Sequence, residues 1–424
     1  MPSVYVKAYG CSANTADAEM TKGMLANSGY TIVGSPRQSD INVVLSCIVK
    51  TPTEQKITKQ VRQLAATGKP LLVAGCMPKA MEDHVEAAAP GASMVGPDDL
   101  DRVVEAVERT LRGERVVYVD GAPSDRTCLP RVRANKLIHI APICTGCLGD
   151  CSYCIVKYAR GRLHSYPAES IVEDVKTAVD DGCREVWVTA EDTAAYQDGD
   201  VRLPQLLDMI TGVPGDFKVR VGMMTPNQAA PLLNGLVEAY ASDKVYKFLH
   251  VPIQSGNDEV LRAMRRRYTV EEFKAVVSRF RESFPEMGVS TDIICGFPGE
   301  TREQFQDSLE LIRWLRPDVL NISRFWERPG TEAAGLPGRL HGRETKERSR
   351  VLTALWRELA VDVGRRWLGW EGTVLLTERG KGSSKVGRNY VYKAVALETG
   401  VGLGETVRVK VTGVGVGFLK AIPV

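Results

Sequence analysis

The chain has 424 residues, 44% of them hydrophobic and 25% charged, with a net charge of +3. This is enough chain for two or three domains that each bury a core, in a composition ordinary for a globular protein. No apolar run reaches the ~18 residues of a membrane-spanning helix, and the opening MPSVYVKAYGC has no secretory-signal pattern, so a cytoplasmic location without membrane contact is expected. In such a reducing compartment the ten cysteines are read as metal ligands, catalytic thiols or small buried residues rather than disulfides.

Residues 1–122 alternate short apolar runs with amphipathic stretches. SVYVKAYG, INVVLS and LLVAG read as strands, each followed by a helical pattern. Parallel strands require such crossovers, so a small doubly wound α/β domain is expected. Cys11, Cys47 and Cys76 each fall just past the carboxyl end of one of these strands. In an open α/β sheet those loops form the binding crevice. Taken one at a time, each is as readily a buried structural cysteine. Taken together, three thiols at equivalent positions suit a cluster with one open iron. The stretch GAPSDRTCLPRVR then reads as a linker.

Residues 135–367 repeat the strand–helix alternation six times, with strands near LIHIAPI, EVWVTA, KVRVGMM, FLHVPIQ, VSTDIIC and VLNISRF and a trailing basic helix over 343–367. Six parallel strands with right-handed crossovers predict an incomplete TIM-type barrel, a partial (β/α)6 fold. The loop after its first strand, PICTGCLGDCSYCIVKYARG, carries Cys147, Cys151 and Cys154 in a C-x3-C-x2-C arrangement on the face where barrel active sites lie. Three thiolates in one loop suit a [4Fe–4S] cluster, and they leave one iron free to chelate the amino and carboxylate groups of S-adenosylmethionine (SAM). The alternative is a structural zinc with Cys144 as fourth ligand. Tyr153 either shelters the cluster and touches adenine or is a packing aromatic.

Other polar residues end successive strands on the same face. Glu191 and Asp192 suit the SAM ammonium, Gln254 and Ser255 its ribose or carboxylate, and Asp292 closes the fifth strand. Each alone is also a plausible turn or cap residue. His164, His250, Cys128, Cys183 and Cys295 read as structural. Arg265, Arg266 and Arg267, with Arg324 and Arg328 near the sixth strand, are either a solvated face or contacts to RNA phosphates.

Residues 370–424 are rich in Gly and Val, with eight Lys and Arg against four Asp and Glu. Period-two stretches such as ETVRVKVTGV predict a small antiparallel β-barrel with Arg408 and Lys410 on one face.

The order of Cys11, Cys47 and Cys76, the loop CLGDCSYC, then VPIQSGNDEVLRAM, STDIICGFPGET and ERPGTEAAG resembles the methylthiotransferase family of radical SAM enzymes over essentially the whole chain. The last segment is similar to the RNA-binding TRAM domain. AEDTAAY (190–196), DIICGFPGET with Cys295, and RYTVEEFKAVV (267–277) look like the archaeal and eukaryotic branch that modifies threonylcarbamoyladenosine in tRNA. The resemblance implies two [4Fe–4S] clusters, one on each cysteine triad, with SAM and tRNA as partners. It implies a flavodoxin- or ferredoxin-like electron donor and a sulfur source as well. One SAM would methylate sulfur held at the Cys11, Cys47 and Cys76 cluster. Another would be cleaved to a 5′-deoxyadenosyl radical at the other cluster, and the methylthio group would join C2 of the adenine next to the anticodon. Alternatives of the same chemistry are isopentenyladenosine in tRNA or a ribosomal-protein aspartate as substrate. A non-catalytic iron–sulfur RNA-binding protein is the alternative of another class, and two three-ligand sets argue against it.

Overall fold

The computed structural model describes residues 1–424. The amino-terminal sheet has six parallel strands, in spatial order Thr31–Val33, Ser3–Ala8, Ile41–Ser46, Leu71–Gly75, Ser93–Val95 and Val117–Tyr118. Ile41–Ser46 and Leu71–Gly75 are buried at every residue, as continuous apolar runs must be in central strands covered on both faces. Side-chain alternation splits their contacts. Val43, Leu45, Leu72 and Ala74 face helices Ser12–Asn27 and Val103–Leu111, while Val44 and Val73 face helix Thr51–Ala65. The strand order reverses between Ser3–Ala8 and Ile41–Ser46. A reversal of this kind opens a crevice at the carboxyl ends, and the loops of Cys11 and Cys47 flank it.

The stretch expected to be a linker is instead a strap fastened on both sides. Arg126 is buried and donates to Asp17 (3.3 Å) and Asp98 (3.2 Å) of the first domain. Arg131 donates to Ile140 O (2.9 Å) and Asp174 (3.1 Å) of the central barrel. Two of its three arginines, read as loop composition, have buried carboxylate partners, while Arg133 pairs with the exposed Asp181.

Six further parallel strands follow in chain order: Ile138–Pro142, Glu185–Thr189, Lys218–Val221, Phe248–His250, Gly288–Cys295 and Val319–Arg324. They form two hydrogen-bonded triplets, bridged between Val219 and Val245, and helices cover the outside. Capping boxes at Thr269/Glu272 and Thr301/Gln304 start two of those helices. The basic helix spans Gly342–Arg365.

The last segment closes as a five-stranded barrel in the order Glu371–Arg379, Lys385–Arg388, Ala394–Leu397, Phe418–Pro423 and Thr406–Gly415. One pairing departs from the antiparallel expectation, since Ala394–Leu397 and Phe418–Pro423 run parallel. This small barrel is seated on the amino-terminal ends of the central strands. Lys247 N donates to Tyr390 O (2.8 Å), Lys393 Nζ to Asp318 (2.8 Å) and Asn135 Nδ2 to Thr377 O (2.8 Å). The Tyr392 ring meets Tyr246 at 4.9 Å and Phe248 at 5.2 Å. No helix is long and apolar enough to cross a membrane.

Candidate active site at the barrel mouth

The loop carrying Cys147, Cys151 and Cys154 leaves the first central strand at its carboxyl end and is fastened by its backbone. Ser152 N donates to Met264 O (3.1 Å), Ser152 Oγ to Ala263 O (2.8 Å), and Cys147 N to Gly161 O (3.3 Å). Gly149 N donates to the Cys147 thiol (3.2 Å), and the Arg266 guanidinium donates to the Cys151 thiol (3.1 Å). A Cβ on Gly149 would stand 3.3 Å from the sulfur of Cys147 and 3.6 Å from that of Cys151, so a glycine keeps this concavity open. Burial, with the neighbouring Asp192 and Cys151, pushes the Cys147 thiol up to about 11. Burial and Cys151 push Cys154 to about 12, against backbone N–H groups of Val156 and Lys157 that favour its thiolate. A bound metal reverses this preference by displacing the protons.

The second triad assembles at the crevice of the amino-terminal sheet. Cys11 lies open at the rim, whereas Cys47 and Cys76 are buried. The crevice walls desolvate Cys11 and raise its pKa, opposed by Arg160, with Cys47 adding a like charge. Burial raises Cys76 to about 12, again opposed by Arg160, with Cys11 and Cys47 as neighbouring like charges. The three thiols therefore share one space. Gly10, at φ +114°, is required beside them: a Cβ there would come within 2.5 Å of Cys47 Cβ and 2.8 Å of its sulfur.

Both donor sets fit an iron–sulfur cluster. Each consists of three soft thiols around a glycine-kept concavity, without a fourth ligand. No three His, Cys, Asp or Glu side chains converge tightly enough to chelate a single ion. A cluster asks for a looser set, because each thiolate takes a different iron. Cys144 is buried on the strand Cys144–Thr145, so the four-ligand zinc alternative has no geometry here.

The two triads face one another. Helix Cys76–Ala80 packs on helix Val156–Arg160, so Ile155 and Ala159 join the same apolar cluster as Cys47, Cys76 and Met77. Ser12, beside Cys11, hydrogen-bonds Thr189 at a central strand end (3.1 Å). Glu191 lies near both Cys11 and Cys147, with its carboxylate 3.8 Å from Arg160 Nε.

The remaining site residues divide by what they touch. Asp192 lines a pocket with Cys147 and Cys151, accepts hydrogen bonds from the Thr225 hydroxyl and from Thr225 N (3.1 Å), and is raised by burial to about 6. Tyr153 packs on Val260, Met264 and Phe297. Gln254 takes φ +73° and bridges to Ile293, a strained placement that bends the chain at the mouth. Asp292 is held by His250 Nε2 (2.7 Å), which gives that histidine a partner at the strand ends.

Three expectations are corrected. Ser255 is fully buried, and its hydroxyl accepts from Asn257 N (3.3 Å) as a turn residue, so it is not presented to a ligand. Arg266 turns inward, donating to Cys151, to the Tyr268 hydroxyl (2.6 Å) and to Pro252 O (3.5 Å), and so faces the cluster loop rather than phosphates. Arg328 is 4% exposed and is paired with Glu54 of the first domain, which leaves it no access to RNA. Arg265 is half-exposed but ion-paired with Asp150 (2.9 Å) and Glu332. Arg267 is exposed at the pocket, and Arg324 lies over the Trp326 ring (4.6 Å). Arg408 and Lys410 are exposed on one face of Thr406–Gly415, beside Glu371.

Reading the sequence does not reach Thr225, Asn227 and Gln228, which line the pocket from the short helix Pro226–Ala229 and its cap after the third central strand. Nor does it reach Asn14, Asp17 and Arg160, buried polar residues behind the second triad.

Residues 141–312 match the Radical SAM superfamily, and residues 3–96 match Uncharacterized protein family UPF0004. A Pyrococcus horikoshii protein named "Probable threonylcarbamoyladenosine tRNA methylthiotransferase" is 43% identical over 94% of this chain and 94% of its own. The human threonylcarbamoyladenosine tRNA methylthiotransferase is 36% identical over 99% of this chain and 74% of its own. Among solved structures, the radical SAM methyltransferase TsrM of Kitasatospora setae shares the fold at TM-score 0.58 and 15% identity, covering 78% of this chain and 77% of that one. The chain belongs to the threonylcarbamoyladenosine tRNA methylthiotransferase family of the radical SAM superfamily.

Proposed function

We propose that this chain inserts a methylthio group at C2 of N6-threonylcarbamoyladenosine next to the anticodon of tRNA, in the cytoplasm. Two cysteine triads opening onto one mouth, with Glu191 between them, carry this reading. The relatives named for that reaction, matched over nearly the whole chain, supply the substrate. Cys147, Cys151 and Cys154 would hold one [4Fe–4S] cluster, and Cys11, Cys47 and Cys76 the other. When bound, the group held by Cys147, Cys151 and Cys154 with SAM would supply radical chemistry at the C2 hydrogen, and the one held by Cys11, Cys47 and Cys76 would supply the sulfur.

The chain's own residues place these parts. Asp192, fixed by Thr225, and Glu191 offer carboxylates to the SAM ammonium. Arg266 holds the Cys151 end of the loop, and Tyr153 closes its apolar side against Met264 and Phe297. Thr225, Asn227 and Gln228 wall the pocket where a purine edge would sit. Positioning is the main task, since a reactive radical must meet one C–H bond and no solvent. Arg267, Arg324, Arg408 and Lys410 are the exposed cations assigned to tRNA. A flavodoxin- or ferredoxin-like donor and a separate sulfur source complete the set. The test is nucleoside mass spectrometry of tRNA from a strain lacking this gene. Loss of the methylthio derivative with accumulation of threonylcarbamoyladenosine supports the reading. An unchanged nucleoside profile overturns it.

A further inference from the structure

Arg160 is the last residue of helix Val156–Arg160, which continues from Cys154, yet its guanidinium lies inside the amino-terminal crevice. Its Nη2 donates to Asn14 Oδ1 (3.0 Å) and Asp17 Oδ2 (2.6 Å), and its Nε stands 3.8 Å from Glu191. Asn14 in turn organises the strand ends that carry the second triad. Its Oδ1 accepts from the Cys76 thiol (3.7 Å), and its Nδ2 donates to Tyr9 O (2.9 Å) and Ser46 O (2.8 Å), the carbonyls just ahead of Cys11 and Cys47. Arg160, Asn14 and Asp17 are all at most 3% exposed. The buried Arg126 holds the other oxygen of Asp17 (3.3 Å), so the acid is fixed from two sides.

Charge gives this arrangement a purpose. Three thiolates crowd the crevice when a cluster is bound, and Asp17 and Glu191 add more negative charge nearby. Arg160 is the cation that neighbours both Cys11 and Cys76. A structural arginine needs only its carboxylate partner, whereas this one also shares Asn14 with the Cys76 thiol. Groups just outside a cluster's ligands set its geometry and potential through such hydrogen bonds and charges.

We propose that Arg160 is a positioning residue for the Cys11, Cys47 and Cys76 site, through which the loop bearing Cys147, Cys151 and Cys154 sets the geometry and charge of the other triad. This rests on the two-cluster reading above and adds a link between the clusters. A cation beside the second cluster favours its more reduced, more negative state. Loss of Arg160 should therefore lower that cluster's reduction potential and leave the first cluster's potential in place.

The experiment isolates each site. Arg160→Gln and Arg160→Lys are made in two backgrounds, one with Cys147, Cys151 and Cys154 changed to Ala, the other with Cys11, Cys47 and Cys76 changed to Ala. Iron per chain and an EPR-monitored redox titration are read in each after anaerobic reconstitution. In the first background Arg160→Gln should titrate at lower potential and lose iron to a chelator about tenfold faster. Arg160→Lys should recover the potential in part, because it restores charge without the two-point contact. In the second background neither quantity should change. In the otherwise intact chain, Arg160→Gln should lower methylthio product about tenfold while 5′-deoxyadenosine formation without tRNA stays within about twofold. If Arg160→Gln fails to fold, Arg160→Gln/Asp17→Asn removes both buried charges; their effects on the potential then largely cancel, and faster iron loss confined to the first background carries the reading. An unmoved potential at the second site overturns the proposal, as does an equal shift at both. The two-cluster reading fails separately, if the parent chain holds only one cluster.

Discussion

Lys393→Met tests how the small barrel is anchored to the central one. Lys393 and Asp318 form a 2.8 Å ion pair with side chains only 3% and 6% exposed. At that separation the gross attraction is about 6 kcal/mol for an effective dielectric near 20. Removing the cation strands a buried carboxylate, which ordinarily costs about 3–5 kcal/mol. Asp318 keeps the Val289 N–H (3.1 Å) and a longer contact with Arg366 (3.9 Å), so the expected cost lies near the low end, about 3 kcal/mol. A chain with several cores does not unfold in one step, so the assay is amide hydrogen exchange resolved by segment. Protection in strand Ala394–Leu397 should fall roughly a hundredfold, while strands Ile41–Ser46 and Leu71–Gly75 keep theirs. Lys393→Met/Asp318→Asn removes both charges and should bring the cost below about 1.5 kcal/mol. A single-variant cost under about 1 kcal/mol, or a double variant as costly as the single, would refute the reasoning.

Anaerobically reconstituted protein should hold about eight irons per chain, and Ala at Cys147, Cys151 and Cys154 together should leave about four, by iron analysis. Cys11→Ala should still form 5′-deoxyadenosine from SAM under strong reductant yet yield no methylthio nucleoside by mass spectrometry, whereas Cys151→Ala should do neither. Arg408→Glu/Lys410→Glu should weaken tRNA binding and flatten its salt dependence by about two units of slope in a binding titration. An unchanged slope would place the RNA grip elsewhere on the molecule.

The strands were legible because their signal is local. INVVLS and LLVAG are apolar at nearly every position since both faces of the sheet are covered, and the cysteines could be placed by counting from strand ends. Arginine roles were less legible, because charge is written in the sequence and its partner is not. Arg265, Arg266 and Arg267 are consecutive, but one is ion-paired, one turns onto Cys151 and one is exposed. Arg328 meets Glu54 from a different domain, and Arg126, on the strap, meets Asp17 and Asp98 of the first domain. Ser255 failed for a related reason: a strand-end hydroxyl serves a ligand or a turn depending on which way the next residues fold.

The seat of the small barrel constrains how the proposed substrate approaches. It covers the amino-terminal ends of the central strands, whereas both cysteine triads open at the carboxyl ends. The eight-residue strand Gly288–Cys295 runs from one end toward the other. At ~3.3 Å per residue, that is about 26 Å. An RNA held at Arg408 and Lys410 must therefore reach along the outside of the central barrel before one base enters the mouth. A stem-loop meets that demand, since it is stiff along its stem and displays bases at its tip. Arg267 and Arg324 lie on the mouth side and would take phosphates of the loop, while the small barrel takes phosphates farther along. On the proposed function the small barrel would contribute affinity and the mouth the choice of base, which would separate the two functions by position.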